Sequence, residues 1–315
     1  MILQVLASIV PIVFLIVLGF FLHEKKYLSK GLDKNLTFLV MNIALPASVF
    51  LSVVNNLTIK TLEELAKPLI IGMIAFAGNY LLSYFLMKVV RVPRGRRGVF
   101  LNTIVNANTI FIGMPLNQAL FGSQAVSYFL VYYVLNTVST WTVGSVLIAR
   151  DGRTEQAGGG KINLKQILSP PILGLLLAIP VLLFGLSLPK PVISSLSYLG
   201  SLVTPLSLLY IGIVLSEAGL KSVRFDKDTL VALLGKFILS PALMACALLF
   251  AGRFGITVPV LLRNTMIVQA AVPALTVLPI LAGDADGDVE YATNVVVTST
   301  VLFVVVIPLV MTLLK

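Results

Sequence analysis

Two amide-rich stretches stand where lipid-facing side chains would be expected. The first runs Asn102-Thr103-Ile104-Val105-Asn106-Ala107-Asn108-Thr109-Ile110-Phe111-Ile112-Gly113-Met114-Pro115. The second runs Asn264-Thr265-Met266-Ile267-Val268-Gln269-Ala270-Ala271-Val272-Pro273 and continues to Pro279. Each opens on Asn-Thr, places amides in an otherwise apolar run and then meets proline. Proline removes a helical N–H, and its ring collides with the preceding turn. Backbone freed in this way survives at membrane depth only where protein or a water-filled cavity satisfies it. Paired interruptions in matching halves of a chain point to the binding site of a secondary transporter.

The chemistry on offer there is recognition rather than catalysis. The N-terminal end of a half-helix carries partial positive charge and attracts anions, so two facing breaks could cradle a carboxylate. The candidate substrate residues are Asn106, Asn108, Thr109, Gly113 and Pro115 at the first break, and Gln269, Ala271 and Pro273 at the second. Asn42 and Ser48 flank Pro46, Ser207 follows Pro205, and these three side chains are expected to line the cavity from its other side. Amides both donate and accept, so they do not settle the sign of the substrate. The competing reading is that amides and hydroxyls tie packed helices together with no ligand.

Coupling ions have their own candidates. Oxygens of Asn136, Thr298 and Thr300 could hold a sodium ion. No Asp or Glu falls near the middle of any apolar run, so the usual proton relay of buried carboxylates is missing. Lys236 lies about two turns into its run and is expected to snorkel toward the interface, with attraction of an anionic substrate as the alternative. Sodium coupling, proton coupling through water and amides, and facilitated diffusion all stay open. No cofactor is expected.

Composition places most of the chain in lipid. Of 315 residues, 58% are hydrophobic and 11% charged, and the mean hydropathy is +1.01, whereas a soluble domain carries about a quarter charged residues. A net charge of +10 would suggest nucleic acid in a soluble protein. In a membrane protein, basic residues simply collect in cytoplasmic loops, and no nucleic-acid partner is expected. Enzyme chemistry fares badly: the chain has one histidine, His23, and one cysteine, Cys246, and no His-Glu-x-x-His motif. Gly158-Gly159-Gly160-Lys161 is followed by Ile162 rather than a magnesium-holding Ser or Thr. The acidic stretch Asp284–Glu290 lacks the glycine placement and twelfth-position Glu of a calcium loop, and reads as a helix cap.

A span needs about 20 mostly apolar residues. Such runs occur near 3–22, 35–54, 68–90, 99–121, 125–149, 168–187, 194–215, 229–251, 261–282 and 291–314. The first is expected to be a retained span rather than a cleaved signal. With Lys236 counted, 17 of the 23 lysines and arginines fall at the odd-numbered loops, which puts those loops in the cytoplasm and both termini outside. Ten spans split into two fives, and the second five then starts from the opposite side: an inverted repeat. Leu45-Pro46-Ala47-Ser48 in the second run echoes Thr204-Pro205-Leu206-Ser207 in the seventh, in the same order as the two breaks. The expected organisation is therefore a first five-helix repeat at 1–149, a flexible cytoplasmic linker at 150–167, and a second, inverted repeat at 168–315.

The chain resembles the auxin efflux carrier family, which includes plant auxin carriers and bacterial permeases linked to malonate and other organic acids. The likeness rests on Met41-Asn42-Ile43-Ala44-Leu45-Pro46-Ala47, Ile112-Gly113-Met114-Pro115-Leu116, Pro205-Leu206-Ser207-Leu208-Leu209-Tyr210-Ile211-Gly212 and Ala271-Val272-Pro273-Ala274, in that order along nearly the whole chain. The resemblance implies an all-α polytopic membrane protein of ten transmembrane helices in two inverted five-helix repeats. It implies that the fourth and ninth spans are broken and cross beside the substrate, that spans 1, 2, 6 and 7 form a scaffold, and that the remainder move. It also implies a homodimer in the plasma membrane (a bacterial inner membrane here). The long hydrophilic middle loop of the plant carriers is replaced by the short linker. The expected function is alternating-access transport of a small organic anion, with elevator or rocking motion. The alternative is a membrane ligand sensor that keeps the fold without moving the ligand.

Overall fold

The computed structural model describes residues 2–29, 31–152, 170–219, 223–253 and 255–314. These residues are all-helical, with no strand among them. In chain order the helices are α1 (Ile2–Glu24), α2 (Leu32–Asn56), α3 (Ile59–Val90), α4 (Arg97–Phe121), α5 (Ser123–Asp151), α6 (Pro170–Leu183), α7 (Lys190–Ala218), α8 (Lys227–Gly252), α9 (Val260–Ala270), α10 (Leu278–Asp284) and α11 (Val289–Leu313). Seven are long and apolar enough to cross a membrane: α2, the 65–90 part of α3, α4, α5, α7, α8 and α11. Val10–Glu24 of α1 and the whole of α6 are shorter apolar helices. Every apolar run read from the sequence coincides with a helix or, at 261–282, with the pair α9 and α10. All but 150–152 of the 150–167 linker lies outside the described residues.

Proline shapes these helices in a repeating way. Five-residue π turns occupy Val40–Ala44, Thr109–Gly113 and Gly235–Leu239, and each is followed two residues later by proline: Pro46, Pro115 and Pro241. The wider turn makes room for the ring and the missing N–H, so the helix bends without ending. Pro46 is absorbed in this manner, and α2 continues through it.

Small residues set the packing. α1 lies along α7 with Gly19 against the Leu209 backbone and Gly212 against the backbone of Ile16 and Phe20. α2 lies along α6 at Gly174, where a Cβ would fall 2.6 Å from the Pro46 carbonyl oxygen. Close backbone approach of this kind is how helices associate in lipid, where apolar contact alone gives little preference. α3 packs on α8, with Asn79 Nδ2 donating to Ser240 Oγ at 2.9 Å, and also on the first half of α4. Large apolar side chains such as Phe14, Ile74, Leu81, Phe85, Leu177 and Val305 point outward. An apolar exterior of this kind suits a lipid environment.

Beyond the helix ends, Arg96 gathers the caps of two helices. Its Nε donates to Asp288 at 2.7 Å, and Nη1 lies 3.3 Å from both Asp226 and Asp228. Asp226 and Asp288 cap α8 and α11 through the amides of Thr229 and Tyr291. Burial works against the Arg96 charge, but the bond to Asp288 and the fields of Asp226 and Asp228 outweigh it and raise its pKa.

Candidate functional site

α4 is broken at its middle. Its first half ends at Val105, Asn106 is extended, and helical backbone resumes at Thr109 with Asn108 as the cap, its Oδ1 accepting from the Phe111 amide. The second break runs from Ala271 to Val277, between α9 and α10. The two breaks touch: the Asn108 N–H donates to the Pro273 carbonyl at 2.9 Å. A second link lies beside it, where Gln269 Nε2 donates to the Gly113 carbonyl at 2.9 Å. A Cβ at Gly113 would overlap Gln269 Oε1, so a larger residue there would displace the Gln269 side chain.

Several of the freed backbone groups have side-chain partners. Asn136 of α5 takes the place of a neighbouring strand: its Oδ1 accepts from the Ala107 N–H at 2.8 Å and its Nδ2 donates to the Ala107 carbonyl at 2.9 Å. At the second break, the Ala274 N–H donates to Ser299 Oγ of α11 at 3.1 Å. The Asn106 carbonyl accepts from Lys236 Nζ at 2.9 Å. An unpaired backbone group would cost about 1–3 kcal/mol, so these side chains hold the breaks open.

Hydrogen-bond accounting separates the candidate amides. Asn106 Nδ2 donates to Tyr80 Oη and Asn102 Oδ1, and its Oδ1 accepts from Ser139, so its side chain is fully engaged. Asn108 is different. Its Nδ2 is buried with no partner among the described residues, and the residue lines a cavity of about 380 Å³. Thr140 Oγ1 is likewise buried, unpartnered and at the cavity wall. Gln269 Oε1 is also without a partner, but Gln269 does not reach the cavity lining. Buried polar atoms normally find partners, and these two belong to residues that line the same cavity.

The cavity lies between the first break, α2 at Thr37 and Met41, α5, Tyr210 of α7 and the Leu275–Val277 segment of the second break. Its volume falls in the range of small-molecule sites. Phe111, Tyr133, Trp141 and Tyr210 supply aromatic walls, and no charged residue among those described lines it. Phe111 and Tyr210 pack ring on ring, 4.4 Å between centroids.

Of the residues picked from the sequence, Asn108, Thr109 and Asn136 line this cavity. Asn106, Gly113, Pro115, Gln269, Ala271 and Pro273 build the two breaks around it without lining it. The expected second wall lies elsewhere. Asn42 is exposed, with its Nδ2 returned to the Phe38 carbonyl, and it lines a separate groove beside Pro46 and Leu173. Ser48 lies against Gly200, and Ser207 is buried, with neither at the cavity wall. Asn136, Thr298 and Thr300 share no hydrogen bond: Thr298 bonds Asn294, and Thr300 bonds the Val296 carbonyl. Lys236 does not snorkel; it is fully buried with its ammonium on the Asn106 carbonyl. Phe111, Trp141 and Tyr210 join the wall without being sequence candidates, although Trp141, the one tryptophan of the chain, is a signal for it.

A polytopic helical protein with two touching helix breaks beside a cavity belongs in architecture with carriers. The comparisons agree. The family model described as membrane transport protein matches residues 4–311, so the chain belongs to that family, which takes in the auxin efflux carriers. An uncharacterized transporter of Methanocaldococcus jannaschii is 26% identical over 303 residues, covering 94% of each chain. A second uncharacterized transporter, from Methanothermobacter thermautotrophicus, is 24% identical over 307 residues, covering 96% of each. The protein is a multi-pass membrane transporter by family.

Proposed function

We propose that the chain carries a small organic anion, a monocarboxylate or short dicarboxylate, across the plasma membrane by alternating access. The observation that supports this best is the unpaired amide of Asn108, set in a cavity wall at the point where the two breaks are hydrogen-bonded to each other. In this reading the carboxylate accepts from Asn108 Nδ2 and Thr140 Oγ1 and sits at the positive end of the half-helix that starts at Thr109. The aromatic walls receive its apolar part. Asn106 and Gln269 shape the breaks rather than touch the substrate.

The helices form ten spans in two inverted repeats, with α9 and α10 together as one broken span. The pairings support this: α1 on α7 and α2 on α6 are the same contact seen from either half, and α3 on α8 is its own counterpart. The first four of these helices form the scaffold, and α3–α5 with α8–α11 the moving body, whose polar end Arg96 fastens. Both termini face outside, and the cavity, which reaches Thr37 and Pro170 near the basic loops, opens to the cytoplasm. A homodimer would form through the scaffold.

Counterflow tests the reading. Proteoliposomes loaded with unlabelled benzoate, indole-3-acetate or malonate are diluted into trace amounts of the same labelled acid. Transient accumulation that saturates with concentration is expected for at least one acid. Binding of an acid without any exchange would instead favour a ligand sensor.

A further inference from the structure

Lys236 is fully buried, and its Nζ donates to the Asn106 carbonyl at 2.9 Å. That carbonyl lies just past the C-terminal end of α4's first half, where the helix dipole concentrates partial negative charge. Carbonyl ends of interrupted helices are the places at which carriers coordinate a coupling cation. The position is built for the lysine. Gly235 lets α8 ride against Ile104, where any Cβ would come within 2.7 Å, and the π turn Gly235–Leu239 turns Lys236 toward the break. Tyr80, Asn102 and Ser139 clamp the side chain of Asn106 and so hold its carbonyl still.

No carboxylate among the described residues forms an ion pair with Lys236. Of the described ionisable side chains on helices packed against α8, Tyr80 of α3 is the one joined to this network, through Asn106. Lys67, Lys88, Arg97, Arg263, Glu290 and Tyr291 all sit toward helix ends, and Tyr84 is exposed. An ammonium buried with no counter-charge is costly, and an approaching anion relieves that cost. The substrate position at Asn108 is two residues from the carbonyl that Lys236 holds.

We propose that Lys236 is the resident cation of the crossing: it stands where a sodium ion would otherwise bind, and its proton is the coupling ion. This rests on the carboxylate reading of the Asn108 cavity. With the anion bound, Lys236 is an ammonium, and the pair moves with no net charge for a monocarboxylate. When the anion leaves, an N–H bond of the ammonium breaks, the proton passes to water as hydronium, and the nitrogen keeps the electron pair as a neutral amine. Rebinding of an anion takes a proton back from the side the cavity faces. One anion and one proton thus cross together, with no sodium involved.

Three measurements on the intact chain test this. The melting temperature in nanodiscs is followed as sodium chloride replaces choline chloride; no change is expected, and a saturable rise with sodium overturns the proposal. Uptake of labelled benzoate, indole-3-acetate and malonate is then driven by an inward proton gradient in sodium-free medium. Measured above protein-free liposomes, wild type is expected to concentrate its acid, while in Lys236→Arg, with a permanent charge, gradient-driven accumulation falls by about tenfold more than its own counterflow does. Undiminished accumulation in Lys236→Arg overturns the proposal. If Lys236→Arg does not fold, Lys236→Met is used, and accumulation that still follows the proton gradient overturns it equally. Absence of counterflow in wild type counts against the carboxylate reading and, with it, against the role given to the proton here.

Discussion

The backbone N–H of Asn108 donates to the carbonyl of Pro273, joining two helix breaks 165 residues apart in sequence at a distance of 2.9 Å. Neither break can then rearrange without disturbing the other. Irregular backbone in a membrane protein is expected to exchange its amide protons quickly unless it is bonded in this way. The Asn108 amide is therefore expected to be protected in hydrogen exchange about as well as the flanking helices, despite its non-helical backbone. Free exchange at Asn108 would mean that the two breaks are not joined in the membrane.

The second link is testable by substitution. Gly113→Ala sets a methyl against Gln269 Oε1 and displaces the side chain that satisfies the Gly113 carbonyl. Each of Gly113→Ala and Gln269→Ala is expected to cost about 1–3 kcal/mol, the range for leaving a buried acceptor unpaired. In the double variant the losses should fall well short of additive, because both remove the same contact. Thermal unfolding of the four proteins in detergent reads this directly. Strict additivity would show the two residues acting separately.

Arg96 holds three carboxylates from the starts of α8 and α11. Its folded pKa is raised above its ordinary value, so the stability it contributes is complete below the unfolded pKa and is lost only as pH rises through the folded one. Both lie well above neutrality, and its contribution should be flat across the neutral range. Arg96→Met is expected to lower stability by about 1–2 kcal/mol, since the group is partly exposed. The difference from wild type should shrink with added salt. A difference between the two proteins that changed steeply from pH 6 to 8 (roughly the neutral range) would contradict this.

The aromatic wall predicts selectivity. Tyr210 packs on Phe111 at the cavity, so Tyr210→Ala should weaken aromatic acids by about 1–1.5 kcal/mol while leaving short aliphatic acids nearly unchanged. Competition of unlabelled benzoate and malonate in counterflow compares the two classes. Equal loss for both would place the ring of Tyr210 in the fold rather than at the substrate.

Sequence made the breaks legible because amides and proline are expensive in lipid, and Asn106, Asn108 and Gln269 have few reasons to be there. It did not distinguish them, because that distinction depends on partners supplied by other helices. Tyr80 and Ser139 consume the Asn106 amide, while nothing reaches Asn108 Nδ2. Lys236 was misread for a related reason. Its depth in the run suits snorkelling, and only the contact of Gly235 with Ile104 shows that it is pressed inward. Asn42 shares the proline signature of the other candidates, yet its position on α2 turns it outward, and the wall belongs to Thr37 and Met41 on the same helix. Helix extents fared better, since an apolar run long enough to span must end where charged residues begin.

The claim at the centre is that the substrate's carboxylate is held by Asn108. Half-saturating concentration in counterflow, measured for wild type, Asn108→Ala and Asn106→Ala with the best of the three acids, addresses it most directly. Asn108→Ala is expected to raise that concentration by about tenfold or more, the loss of one charge-assisted hydrogen bond, alongside a loss of about 1 kcal/mol of stability from its cap on the Phe111 amide. Asn106→Ala should act mainly through stability, by freeing Tyr80 and Ser139. An unchanged half-saturating concentration in folded Asn108→Ala would contradict the site, even if the protein still carries the acid.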